Sequence, residues 1–107
     1  MRDDERRVLC DAEVFLWDGE AAWHFARLPQ DAAEEVRLMS GPPRGFGSVR
    51  VRVRLGATTW DTSVFPDKAS GSFVLPVKKQ VRSAEGVAAG DVVRLDLLVE
   101  PQREGNA

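Results

Sequence analysis

The sequence predicts a mainly β protein: a small barrel of about six short strands with two short helices, built from two halves, each ordered strand, strand, helix, strand. Three observations predict it. The stretch Ser48-Val49-Arg50-Val51-Arg52-Val53-Arg54-Leu55 alternates strictly between apolar and cationic residues, the period-two signature of a half-buried strand. Several other short segments alternate in the same way and are bounded by Gly, Pro or Asp-Gly punctuation. Finally, an order of four features occurs twice along the chain.

Taken in order, Val8 to Trp17 reads as the first strand, with Val8, Cys10, Ala12, Val14 and Leu16 on its apolar face. Asp18-Gly19 is a turn dipeptide, and Ala22 to Leu28 reads as the returning strand, ended by Pro29. A helix is predicted over 31–39, with Asp31 as N-cap, Glu34 three residues on, and Ala32, Val36 and Met39 as its apolar stripe. Gly41-Pro42-Pro43 stops it, and Arg44-Gly45-Phe46-Gly47 leads into the arginine strand. Gly56-Ala57 turns into a fourth strand, Thr58 to Phe65, and a loop over 66–71 precedes a short strand, Ser72 to Leu75. A second helix spans Val77 to Glu85, with Gly86 in the C′ place. Gly90-Asp91 opens the last strand, where Val93, Leu95, Leu97 and Val99 alternate with Arg94, Asp96 and Leu98.

The repeat matches Leu28-Pro29, Val36-Arg37 and Gly41 to Leu75-Pro76, Val81-Arg82 and Gly86. Phe25 and Phe73 precede the two Leu-Pro pairs, and Gly47-Ser48-Val49 and Gly90-Asp91-Val92 each open a long alternating strand. Two such halves suggest one barrel with the helices plugging its ends, a closure that also removes exposed sheet edges. At 107 residues the chain is expected to form one domain over 8–100, between disordered tails at 1–7 and 101–107. Hydrophobic residues make up 43% and charged residues 30%, an ordinary soluble composition. No apolar run approaches the roughly 20 residues needed to cross a bilayer, and the single Cys10 cannot form an internal disulfide. The expected location is therefore cytoplasmic, with no membrane association.

The residues Gly47 to Gly56, Trp60-Asp61-Thr62-Ser63, Phe65-Pro66, Gly71 to Lys78, Val81-Arg82 and Gly90 to Val93 resemble the bacterial family catalogued as domain of unknown function 1905. Trp23 and Leu28-Pro29 fit the same pattern, so the resemblance covers about residues 8–100. It implies a double-split β-barrel, distantly similar in architecture to the AbrB and MazE DNA-binding domains. Those build the barrel from two chains, whereas the repeat here suggests one chain supplying both halves. The resemblance brings no known catalytic or binding residues.

The catalytic inventory is thin, with one His, one Cys and no Tyr. His24 lies between Trp23 and Phe25 and reads as a strand histidine facing solvent or a loop; a general base is the alternative. Cys10 reads as a small buried hydrophobe, and it and His24 lack partners at metal-ligand spacing. No cofactor and no catalytic residue are expected. Trp23 and Trp60 read as core, and Trp17, beside the turn, as exposed.

Charge carries more information. Residues 1–43 hold five basic and ten acidic side chains, residues 44–82 hold eight and two, and residues 83–107 hold two and five, for a net −2. The candidate partner site is the cationic set Arg50, Arg52, Arg54, Lys78, Lys79 and Arg82, with Arg44 nearby. If the second helix stands beside the arginine strand, the set recognises an anionic partner: nucleic acid, an acidic protein or a metabolite. In the competing view the arginines pair across the sheet with Asp61, Glu13 or Asp96. The leading expectation is a non-catalytic binding module, monomeric or weakly dimeric. The alternatives are a DNA-binding regulator of AbrB-like type, or a small-ligand barrel or enzyme with a pocket near Trp60 and His24.

Overall fold

Alternation sorts the strands into an inner and an outer face, and the computed structural model, which describes residues 6–17, 23–40 and 47–100, shows where each face lies. The elements are β1 (Arg7–Leu16), β2 (His24–Arg27), α1 (Gln30–Ser40), β3 (Val49–Leu55), β4 (Thr58–Asp67), β5 (Ser72–Pro76), α2 (Lys79–Glu85) and β6 (Val92–Val99). The six strands close into an antiparallel barrel with the circular order β1-β2-β5-β4-β3-β6. Each half contributes strand, strand, helix, strand, as the sequence predicts. The circular order is unchanged when β1, β2 and β3 are exchanged with β4, β5 and β6.

The core is the sum of the inward rows. Val8, Cys10, Ala12 and Val14 of β1 meet Val93, Leu95, Leu97 and Val99 of β6, which meet Val49, Val51, Val53 and Leu55 of β3. Register makes this concrete: Cys10 pairs with Leu95, Val53 with Leu97 and Val51 with Val99. Val51 and Val53 are fully buried, each stabilising the fold by about 1.5–3 kcal/mol relative to exposure. Ala32, Ala33 and Val36 of α1 and Val81 of α2 join the same cluster, so each helix buries its apolar stripe against the barrel. Gly86 ends α2 in the left-handed conformation, φ 65°, where a side chain would be strained.

Several boundaries and faces differ from expectation. β1 begins at Arg7, and Arg6 donates from Nε to the Val99 carbonyl at 2.7 Å, so both residues belong to the fold rather than to a tail. Leu16 is 51% exposed, because β1 outruns the inner packing there. α1 begins one residue before Asp31, whose carboxylate accepts from the Ala32 amide at 2.8 Å within the first turn. α2 begins at Lys79 rather than Val77, since Lys78 has extended backbone (φ −73°, ψ 163°) and Val77 still bonds to β2, its amide donating to the His24 carbonyl. β4 and β5 extend to Asp67 and Pro76, and β2 is the four residues His24–Arg27. Trp23, expected in the core, is 57% exposed. Phe25, two residues on, pairs with Phe15 of β1 on the outer face, and the Trp23 ring stacks on Phe25. The Asp18-Gly19 turn, the connector over 41–46 with Arg44, and the tails over 1–5 and 101–107 lie outside the described residues.

Candidate functional site: an arginine-lined cavity on the outer sheet

The side chains left outside by the core valines form a grid whose rungs follow the strand register. On one rung Asp61 of β4 faces Arg52 of β3, then Leu98 of β6, then Arg7 of β1. The adjacent rung runs Thr59, Arg54, Asp96 and Leu9 across the same four strands. Neighbours on a rung stand about 4.8 Å apart, and residues two apart on one strand about 6.7 Å. Three arginines from two strands thus surround one leucine.

The resulting cavity of about 230 Å³ is lined by Arg7, Arg52, Arg54, Thr59, Asp96 and Leu98. Its edges are held by side-on charge pairs. Arg52 donates to both Asp61 oxygens, from Nε at 2.9 Å and Nη2 at 3.4 Å. Arg7 donates from Nε to Asp96 Oδ1 at 3.1 Å and from Nη2 to Oδ2. The hydrogen bond from Arg52 lowers the Asp61 pKa, and the one from Arg7 lowers that of Asp96; in each case a charge-assisted bond favours the ionised carboxylate. Arg54 differs from both. Its Nε donates to the Gly56 carbonyl at 3.2 Å, and among the described residues neither it nor Arg50 forms an ion pair with a carboxylate.

The structure brings Arg52 and Arg54 together with Arg7, which the sequence reading assigned to a tail. The signal for Arg7 was present: it continues the outward set Leu9, Asp11, Glu13 one alternation earlier. Arg50 lies on the same face opposite Ser63, outside the cavity lining, and its charge helps lower the Asp61 pKa. Lys78, Lys79 and Arg82 do not line the cavity. Lys78 and Lys79 are exposed at the start of α2, and Arg82 turns back to donate to the Val77 carbonyl at 3.1 Å. The far end of α2 docks on the β3–β4 hairpin. There Glu85 accepts from the Ala57 amide at 3.2 Å and the Thr58 hydroxyl at 2.6 Å. Of the carboxylates expected to pair with the arginine strand, Asp61 does so directly, whereas Asp96 pairs with Arg7 and lends its charge field to Arg54.

Other candidates fall elsewhere. His24 shares the strand face of buried Ala26, while Trp60 pairs with Val53 and packs against the core two strands away in the ring. Neither the arginine cavity nor a second one of about 310 Å³, lined in part by Cys10, Asp11, Asp31, Glu35 and Arg94, includes His24 or Trp60. Cys10 sits 5% exposed beneath that second cavity, and burial pushes its thiol pKa up to about 11. Among the described residues, no group of three or more His, Cys, Asp or Glu side chains is placed to hold a metal ion. Likewise, no helix there is long and apolar enough to cross a membrane. At the opposite end of β1, Phe15, Trp17, Trp23 and Phe25 form an outward aromatic cluster. The Arg27 guanidinium lies 4.1 Å over the Phe15 ring.

A family model described as a domain of unknown function (DUF1905) matches residues 11–97. The match includes Arg52, Arg54, Thr59 and Asp96 and leaves Arg7 and Leu98 just outside it. No curated protein matches the chain significantly.

Proposed function

Because the chain belongs to the DUF1905 family, whose description assigns no activity, we propose a function from its own side chains: a non-catalytic binding module that recognises an anionic partner through the outward face of β3. The observation that carries this reading is the cavity lining: three guanidinium groups of which Arg7 is paired with Asp96 and Arg52 with Asp61 at the edge, while Arg54 is bound to a carbonyl rather than to an acid. Guanidinium groups stay protonated throughout the physiological range, so they bind anions in a fixed fork and do not shuttle protons. That property favours recognition over acid–base chemistry. The basic middle of an otherwise acidic chain supports the same reading, with Lys78, Lys79 and Arg82 adding longer-range attraction.

DNA binding through the same arginines is the second reading, favoured by the outward row Arg50, Arg52 and Arg54 on one strand. Titrations at low salt with inorganic phosphate, an acidic peptide and duplex DNA separate the two. The module reading expects phosphate or the peptide to shift the amide resonances of Arg52, Arg54 and Thr59. The triple substitution R50S/R52S/R54S should abolish the shifts while the rest of the spectrum survives. A steeply salt-dependent response to DNA alone would transfer the site to DNA. If none of the three binds, or the triple variant binds as well as wild type, the arginine face is not the site.

We also infer that the barrel arose by duplication of one strand-strand-helix-strand unit. The repeated Leu-Pro and Val-Arg positions and a strand order unchanged by exchanging the halves support this. A cytosolic setting accords with the buried, neutral thiol of Cys10.

A further inference from the structure

The composition of the cavity narrows the kind of anion it suits. Its floor is Leu98, half-buried on the outer face of β6, with Arg52 on one flank and Arg7 on the other. The two flanking strands are about 10 Å apart. That leaves a slot between two arginine side chains in which a flat apolar group can lie on Leu98 against their methylene stems. The next rung supplies Arg54 with the Thr59 hydroxyl directly across from it, a pair of donors for an oxyanion. Asp96, also on that rung, is ionised and already held by Arg7. It opposes negative charge nearby, and a doubly charged ligand meets this repulsion twice. The volume of about 230 Å³ lies below the roughly 300–1,000 Å³ of sites for drug-sized ligands.

We infer that the cavity takes a compact monocarboxylate with a flat apolar body: the carboxylate at Arg54 and Thr59, the body on Leu98 between the Arg52 and Arg7 side chains. This inference rests on the anion-binding reading above and specifies its ligand class.

The test is a titration followed by amide resonances, with benzoate, acetate and inorganic phosphate at one fixed ionic strength. Benzoate should bind roughly tenfold more tightly than acetate, the gain expected for covering one face of a ring, and more tightly than phosphate. The largest shifts should fall at Arg54, Thr59 and Leu98. L98S should remove the preference for benzoate over acetate, and R54Q should weaken both. L98A serves the same purpose should L98S disturb the fold. Equal binding of benzoate and acetate, or tighter binding of phosphate, would overturn the inference while leaving the anion site standing. A preference for benzoate that survives both Leu98 substitutions would do the same. No response to any of the three probes would remove this inference and the small-anion reading together.

Discussion

Replacing Gly56 by alanine tests how α2 is fixed to the arginine strand. Gly56 has φ +61°, and a Cβ built there would lie 2.0 Å from Glu85 Oε1 and 2.8 Å from its Cδ. The backbone strain of a non-glycine residue in this region costs about 1 kcal/mol. The steric conflict must also push Glu85 away from the Ala57 amide and the Thr58 hydroxyl. Each of those bonds contributes about 0.5–1 kcal/mol at a partly solvated site. G56A should therefore destabilise the protein by about 2–3 kcal/mol, and E85A by about 1–2 kcal/mol. Once Glu85 is truncated, G56A retains only its strain. The double variant should thus lose about 2–3 kcal/mol, leaving a coupling of about 1–2 kcal/mol. Urea unfolding followed by tryptophan fluorescence measures all four corners of the cycle. Additive losses, within about 0.5 kcal/mol, would show that Glu85 does not occupy the space above Gly56.

Two further outcomes follow from the ionisable groups. The folded pKa of Asp96 lies below its unfolded value of 3.8, so its stabilising effect is present above that value and is lost as pH falls through the folded pKa; thermal melts should show a gap between wild type and D96N that is steady near neutral pH and closes as pH falls below 3.8, and a gap that stays constant there would refute the pairing with Arg7. The folded state holds the Cys10 proton up to about pH 11 against 9.0 for an unperturbed thiol, so stability should decline between those values and iodoacetamide should alkylate the native protein far more slowly than the urea-unfolded chain at pH 8; equal rates would place the thiol at the surface.

The architecture was legible because period-two patterning is strong wherever one face is buried. In β3 a single choice of face buries every valine and leucine; in β6 the same alternation buries Val93, Leu95, Leu97 and Val99 and leaves Val92 and Leu98 outward, and in β1 it buries Val8, Cys10, Ala12 and Val14 and leaves Leu9 and Leu16 outward. Trp23 was misread for a different reason. Size and apolarity argue for the core, but Trp23 shares the outward face of Phe25, and the inward position beside them is taken by Ala26. The aromatic rings of Phe15, Trp17, Trp23 and Phe25 therefore cover one another on the outside. The start of α2 lies two residues later than its pattern predicts, because Val77 is still bonded to His24 of β2 and Lys78 is extended, pairings that the sequence pattern does not display.

The cavity itself was only half legible. Alternation along β3 places three arginines on one face, but alternation within a strand says nothing about which residue stands beside them. Arg7 and Arg54 are 47 positions apart and meet because β6 pairs with β1 on one side and β3 on the other. The β1–β6 pairing is thus both the seam that closes the core and the link that completes the charged rim. Slipping that seam by one residue would turn Val8, Cys10 and Ala12 outward and carry Arg7 away from Asp96 and Leu98. The same hydrophobic pattern that specifies the barrel therefore also specifies the site. For this reason Arg7, whose charge reads as part of a tail, has its place set by the burial of its neighbour Val8.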